Sequence, residues 1–136
     1  MITYVDASVL LRVILGEPDP LPEWRTLEPI SSELIRVESL RVLDRARLAF
    51  QQDDDEVVAH RVAALEILRT MTFAPMRTSI LERAADPFPT TVGTLDAIHL
   101  ATAMHVRDEF PDLRFATHDR ELATAARSMG FDVMGA

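Results

Sequence analysis

Short apolar runs alternate with stretches of helical spacing along this chain, and that alternation limits the available folds more than any other feature. Met1 to Val5, Met71 to Met76, Leu113 to Ala116 and Phe131 to Met134 read as strands. Between them, apolar spacing marks helices over Ala7 to Leu15, from Ser31 or Ser32 to about Phe50, and from Asp53–Asp55 to near Arg69. Three more run over Thr78 to Ala85, Leu95 to Arg107 and Arg120 to Met129. Gly16 and Gly130 fall where helices should stop, and the proline-bearing segments Glu17 to Pro22 and Asp86 to Thr91 read as loops. Strands separated by helices do not close as tight hairpins; each crossover brings the chain back in the same direction. The expected architecture is α/β, a three-layer α/β/α sandwich with a central parallel sheet, built by residues 1–136 as one domain.

Composition removes several classes of function. The chain has no cysteine, which excludes disulfides, thiolate metal sites and a cysteine nucleophile. The four histidines (60, 99, 105 and 118) are scattered; only His99 and His105 share a helix, on different faces, which disfavours a zinc site. All 14 basic residues are arginine, so a Walker phosphate loop and a Schiff base are both ruled out. A net charge of -8 argues against a broad basic surface for nucleic acid, but not against a nuclease whose metal cancels part of that charge. Asp6 interrupts the first apolar run and no basic segment precedes it, so the N-terminus does not read as a signal peptide. No apolar stretch approaches the ~18 residues of a membrane span. The expected location is cytoplasmic, with no membrane partner.

Four acids sit where folding alone explains them poorly. Asp6 ends the first strand, in Tyr4-Val5-Asp6-Ala7-Ser8, and Asp119 follows a later one, in Phe115-Ala116-Thr117-His118-Asp119. Both fall at or just past strand carboxyl ends, where open α/β sheets gather ligands, and both are also placed to cap the helix that follows. On a helical wheel Glu38 falls between Leu34 and Val42, on the apolar side, while Glu33 falls on the polar arc with Arg36, Asp44 and Arg47. A buried, unpaired carboxylate costs roughly several kcal/mol, so Glu38 needs either an arginine partner (Arg41 or Arg45) or a cation. Asp96 opens the nearly all-apolar helix Leu95-Asp96-Ala97-Ile98-His99-Leu100-Ala101-Thr102-Ala103, with Thr94 as the expected cap and Asp96 at the second helical position. A first-turn acid favours the helix dipole, so that plain role stays open for Asp96. His99 reads as a core histidine, and Thr117 as either a strand residue or a hydrogen-bond partner of a carboxylate. Carboxylates gathered from strand ends and helix starts repel one another unless a cation holds them, which points to a divalent metal and phosphodiester chemistry.

The order of these stretches resembles a PIN domain of the VapC toxin type. The matching segments are Tyr4 to Leu10, Ser32 to Glu38, Leu95 to Ala103, and Thr117 to Leu122 with Ala125, Ala126 and Gly130; the Asp96 segment is the most specific. The resemblance implies a PIN-like sandwich and a Mg²⁺- or Mn²⁺-dependent endoribonuclease in which metal-activated water cleaves RNA. It maps the acidic quartet, both catalytic and metal-holding, onto Asp6, Glu38, Asp96 and Asp119, the fourth acid being the least uniform in such domains. It further implies a type II toxin, a VapB-type antitoxin lying across the acids, a homodimer and a toxin–antitoxin hetero-oligomer. RNA contacts are expected from the arginines and the two proline-bearing loops.

Other phosphoryl-transfer readings fit less well. An aspartate-nucleophile phosphatase needs a second Asp at the position of Ser8, and a phosphate-receiver domain needs a lysine. The remaining rival is a non-catalytic PIN-like scaffold that acts only through partner binding or a repressor complex.

Overall fold

The first strand lies in the middle of the sheet. In the computed structural model, which describes all residues from Met1 to Ala136, β1 (Ile2–Val5) is flanked by β2 (Glu28–Ser32) and β4 (Arg114–Ala116). β3 (Thr72–Ala74) and β5 (Asp132–Met134) complete the order β3-β2-β1-β4-β5, every pair parallel. Ile2-Thr3-Tyr4-Val5 suits that central place: β-branched and aromatic side chains pack well where both faces are covered. Alternate residues serve opposite faces. Tyr4 joins Leu100, Phe115, Leu122 and Phe131 in one core, whereas Val5 joins Val9, Leu21 and Ala116 in another.

Helices cover both faces, as the alternating pattern predicts. α1 (Ala7–Ile14), α2 (Leu34–Ala49) and α3 (Asp54–Thr70) pack together around Leu10, Ile14, Ile35, Ala64 and Leu68. α5 (Thr94–Glu109) and α6 (Arg120–Ser128) close the other face, and α4 (Thr78–Ala85) lies along α5. Burying each large apolar side chain in these layers contributes about 1.5–3 kcal/mol. Gly130 stops α6 at φ 87°, a left-handed conformation that costs glycine little. No helix is long and apolar enough to cross a membrane.

One strand escapes the sequence pattern. β2 reads Glu-Pro-Ile-Ser-Ser, with a single large apolar residue and a proline that argues against an interior strand. The proline is accommodated by register. The Glu28 N–H donates to the Met1 carbonyl (2.9 Å), so Pro29 faces the opposite side, where β3 begins pairing only at Ile30. The two serines are buried because each has a polar partner: Ser31 Oγ donates to the Val5 carbonyl (2.7 Å), and the Ser32 N–H donates to Tyr4 Oη (3.2 Å).

The strand order sets the functional end. From β1 the chain winds outward through β2 and β3, then returns to the other side of β1 for β4 and β5. The direction of winding reverses between β1 and β4, which opens a crevice at their carboxyl ends. Asp6 follows one of these strands, and Thr117 and Asp119 follow the other.

Candidate active site

Asp6 is buried at the crevice and held on both oxygens. Ser8 Oγ (2.6 Å) and the Val9 N–H (3.3 Å) donate to Oδ1, and Thr117 Oγ1 donates to Oδ2 (2.7 Å). Each hydroxyl is itself held by the loop after β4: the His118 N–H donates to Ser8 Oγ (2.9 Å) and the Asp119 N–H to Thr117 Oγ1 (3.0 Å). Asp6 is thus both the N-cap of α1 and the knot tying β1 to β4. Burial pushes its carboxyl above the usual carboxylate range, and the hydrogen bonds from Ser8 and Thr117 work against that rise. Gly135 lies against this knot. At φ 94°, a Cβ there would sit 2.7 Å from the Thr117 carbonyl oxygen.

Glu38 points inward from α2, as the wheel predicts, and Glu33 is exposed and accepts from the Met76 N–H (3.2 Å). The partner of Glu38 is neither Arg41 nor Arg45. Arg41 pairs with Asp44 (3.3 Å), and Glu38 Oε1 meets His99 Nε2 at 2.6 Å. His99 is fully buried, and its other ring nitrogen meets Tyr4 Oη at 2.7 Å. Burial raises the Tyr4 phenol well above its ordinary range, so the hydroxyl keeps its proton. The proton positions follow from satisfying each group. The Ser32 N–H donates to Tyr4 Oη, the phenol donates to Nδ1, and Nε2–H donates to Glu38.

Asp96 stands at the third position of α5, not the second, because Gly93 rather than Thr94 occupies the cap. The shift moves its carboxylate further into the first turn, where it is partly buried. No protein donor reaches it. Its pKa is pushed up to about 6, first by burial and then by the charges of Asp119, Asp6 and Glu38. Thr117 joins Asp6 to the Asp119 backbone, and the His99 that meets Glu38 stands one turn after Asp96, so the four acids, far apart in sequence, converge. Asp119 caps α6, its Oδ1 accepting from the Glu121 (2.8 Å) and Leu122 (3.2 Å) N–H groups, while Oδ2 has no protein donor.

Asp6, Glu38, Asp96 and Asp119 therefore gather at one end of the sheet, and no arginine pairs with any of them. No three His, Asp or Glu side chains stand around a common point as a metal cage. The donor set nevertheless suits a hard dication: all carboxylate oxygens, with Asp96 and one oxygen of Asp119 left unengaged. Mg²⁺ keeps several waters and needs only one or two carboxylates directly. Sequence reasoning passed over Ser8, for which a hydroxyl two residues after Asp6 was a usable signal. His99 is the core histidine that the sequence suggests; which groups it meets was not readable, because its partners lie 95 and 61 residues away. Arg83, in the last turn of α4, lies over the ring of Phe88 in the second proline-bearing loop (4.3 Å to the centroid).

This arrangement agrees with the comparisons to known proteins. The PIN domain family model matches residues 3–128. Ribonuclease VapC47 of Mycobacterium tuberculosis (strain CDC 1551 / Oshkosh) is 31% identical over 136 positions, covering 94% of this chain and 92% of its own. Ribonuclease VapC46 of Mycobacterium tuberculosis (strain ATCC 25618 / H37Rv) is 32% identical, covering 96% of this chain and 95% of its own. The crystal structure of PAE2754 from Pyrobaculum aerophilum shares the fold, with a TM-score of 0.61 over 96% of this chain and 81% of that one, at 19% identity. With the sheet order, the helical layers and two full-length relatives in agreement, the chain belongs to the PIN-domain family, in its VapC branch.

Proposed function

We propose that this protein is a metal-dependent endoribonuclease, the toxin of a type II toxin–antitoxin pair, working at Asp6, Glu38, Asp96 and Asp119. The observation that carries the reading is Asp96, a partly buried carboxylate with no protein partner, raised to a pKa of about 6 among three other acids. Such a cluster destabilises a fold unless a cation occupies it. The two mycobacterial relatives are named as ribonucleases, which supports the reaction class.

Asp6, Asp96 and Glu38 would hold Mg²⁺ or Mn²⁺, and the free Oδ2 of Asp119 would complete the set. Bound there, a dication polarises the phosphodiester, makes water a better nucleophile and stabilises the added charge of in-line displacement. The residues of the chain supply orientation. Ser8 and Thr117 fix both oxygens of Asp6, and His99 fixes one oxygen of Glu38. Asp96 and Asp119 keep oxygens free for the incoming ion. An RNA target is read through unpaired bases in a loop, because side chains enter the deep groove of A-form helices poorly. A VapB-type antitoxin placing an arginine among the acids would inhibit by standing in for the ion. A homodimer, a toxin–antitoxin hetero-oligomer and a cytoplasmic site of action complete the reading.

The test is cleavage of total cellular RNA by purified protein with Mg²⁺, with Mn²⁺ and with chelator, beside Asp96→Asn. Discrete metal-dependent cuts lost in the variant support the proposal. Equal cutting by both proteins identifies a contaminating nuclease. Absence of both cutting and metal binding moves the reading to the non-catalytic scaffold.

A further inference from the structure

The four acids are not held alike. Asp6 is fixed by Ser8 and Val9 of α1 and by Thr117, Asp119 by its own helix, and Asp96 by nothing. Glu38 is held by a fully buried side chain, His99, that is in turn held by a second one, Tyr4. The line runs from the backbone of β2 through the centre of the sheet to α2: Ser32 N–H to Tyr4 Oη (3.2 Å), Tyr4 Oη to His99 Nδ1 (2.7 Å), His99 Nε2 to Glu38 Oε1 (2.6 Å). Tyr4 and His99 are each 0% exposed, so water does not compete for these bonds. Tyr4 is also packed in place, its ring stacked on Phe115 with centroids 5.2 Å apart.

A neutral imidazole accepts at one nitrogen and donates at the other; the Glu38 carboxylate can only accept and so calls for Nε2–H, which leaves Nδ1 to take the Tyr4 hydroxyl as the ring's second tether. From the hydrogen bonds and packing around Tyr4, His99 and Glu38, we infer that Tyr4 and His99 are positioning residues: Tyr4 holds the His99 ring in place, and His99 so held fixes the Glu38 carboxylate for the metal. The inference rests on the metal-dependent reading above and adds residues to it. Its physical logic is that of outer partners of metal ligands, whose loss typically costs about 10–100-fold in metal affinity or activity. Tyr4 never touches substrate or ion; it acts through two intervening side chains.

Two readouts test it, and one needs no metal. In metal-free protein, ¹⁵N–¹H correlation of the His99 ring should show a protonated Nε2 and a bare Nδ1. Tyr4→Phe deletes only the phenol oxygen and keeps the stacked ring, and by freeing the His99 ring it should broaden the Nε2–H signal and speed its exchange with water. In Mn²⁺ calorimetry Tyr4→Phe should bind roughly tenfold more weakly than wild type, yet add almost nothing to the loss in Glu38→Ala. His99→Gln, which can still place an N–H toward Glu38, should bind more tightly than His99→Leu. It is the comparison to use should Tyr4→Phe fail to fold. An Nε2–H signal as sharp and as slow to exchange in Tyr4→Phe as in wild type overturns the inference, as do equal losses in the wild-type and Glu38→Ala backgrounds, or equal binding by His99→Gln and His99→Leu. Should wild type bind no Mn²⁺, the metal reading falls and the inference about the metal with it. The ring spectra then still decide whether Tyr4 governs His99.

Discussion

Two groups of four acids lie in this chain, and they behave in opposite ways. Asp53, Asp54, Asp55 and Glu56 are consecutive and open α3. All four are exposed, Asp53 caps the helix by accepting from the Glu56 N–H (2.9 Å), and the helix dipole favours the others. Asp6, Glu38, Asp96 and Asp119 are spread over most of the sequence, yet each is at least partly buried and Asp96 feels the other three. Charge density along the chain is therefore a poor guide to charge density in space. Water screens the contiguous acids; desolvation and a shared crevice strain the dispersed ones.

The largest expected contrast is in catalysis. Asp96→Asn should lower RNA cleavage about a hundredfold or more, the scale on which several kcal/mol of charge stabilisation is lost. Asp54→Asn and Asp55→Asn should cleave like wild type. Loss of cleavage in the α3 variants would break the comparison, and initial rates on one mapped RNA site decide it.

Metal should separate the groups in stability as well. Saturating Mn²⁺, at about 100 times its dissociation constant, should raise the melting temperature by roughly 5–10 °C through binding to the folded state alone. The rise should be much smaller in Asp96→Asn and undiminished in the α3 variants. Scanning calorimetry with and without chelator measures it, and an undiminished rise in Asp96→Asn would remove that residue from the site.

Protons should substitute for the ion. A carboxyl whose pKa is raised on folding binds more protons in the folded state than in the unfolded state. Stability from this source therefore grows as pH falls through the folded value of about 6 toward the unfolded value of 3.8, and is lost again as pH rises through about 6. The metal-free wild type should gain melting temperature relative to Asp96→Asn between about pH 7 and pH 5, and Asp96→Asn should be the more stable protein at pH 7. A difference between the two that is flat with pH would show that Asp96 lacks the proposed strain.

The smallest effect belongs to the exposed group. Asp53→Ala should cost about 1 kcal/mol through its lost cap and leave cleavage unchanged, as urea melts and the same rate assay would show.

The legibility of this molecule follows the range of the forces involved. Helix limits were readable because caps and stops are local: Asp53 caps α3, Asp119 caps α6, and Gly130 ends α6. The inward turn of Glu38 was readable because helical period is local too. The cap of α5 was misplaced by one residue because Gly93 offers no side chain to mark it, whereas Thr94 carries a hydroxyl. β2 was unreadable for a different reason. Its proline and serines look like a loop until Met1, Val5 and Tyr4 supply partners from the neighbouring strand.

The sequence by itself determined the α/β class and most of the element limits, since each rests on the chemistry of residues a few positions apart, and it singled out the four acids. Only the tertiary structure decided the place of β2, the reversal of winding beside β1, the pairing of Glu38 with His99 and the unpartnered state of Asp96. These depend on which distant groups share a space without water, and a burial of that kind exists only once the whole sheet and its helices have closed.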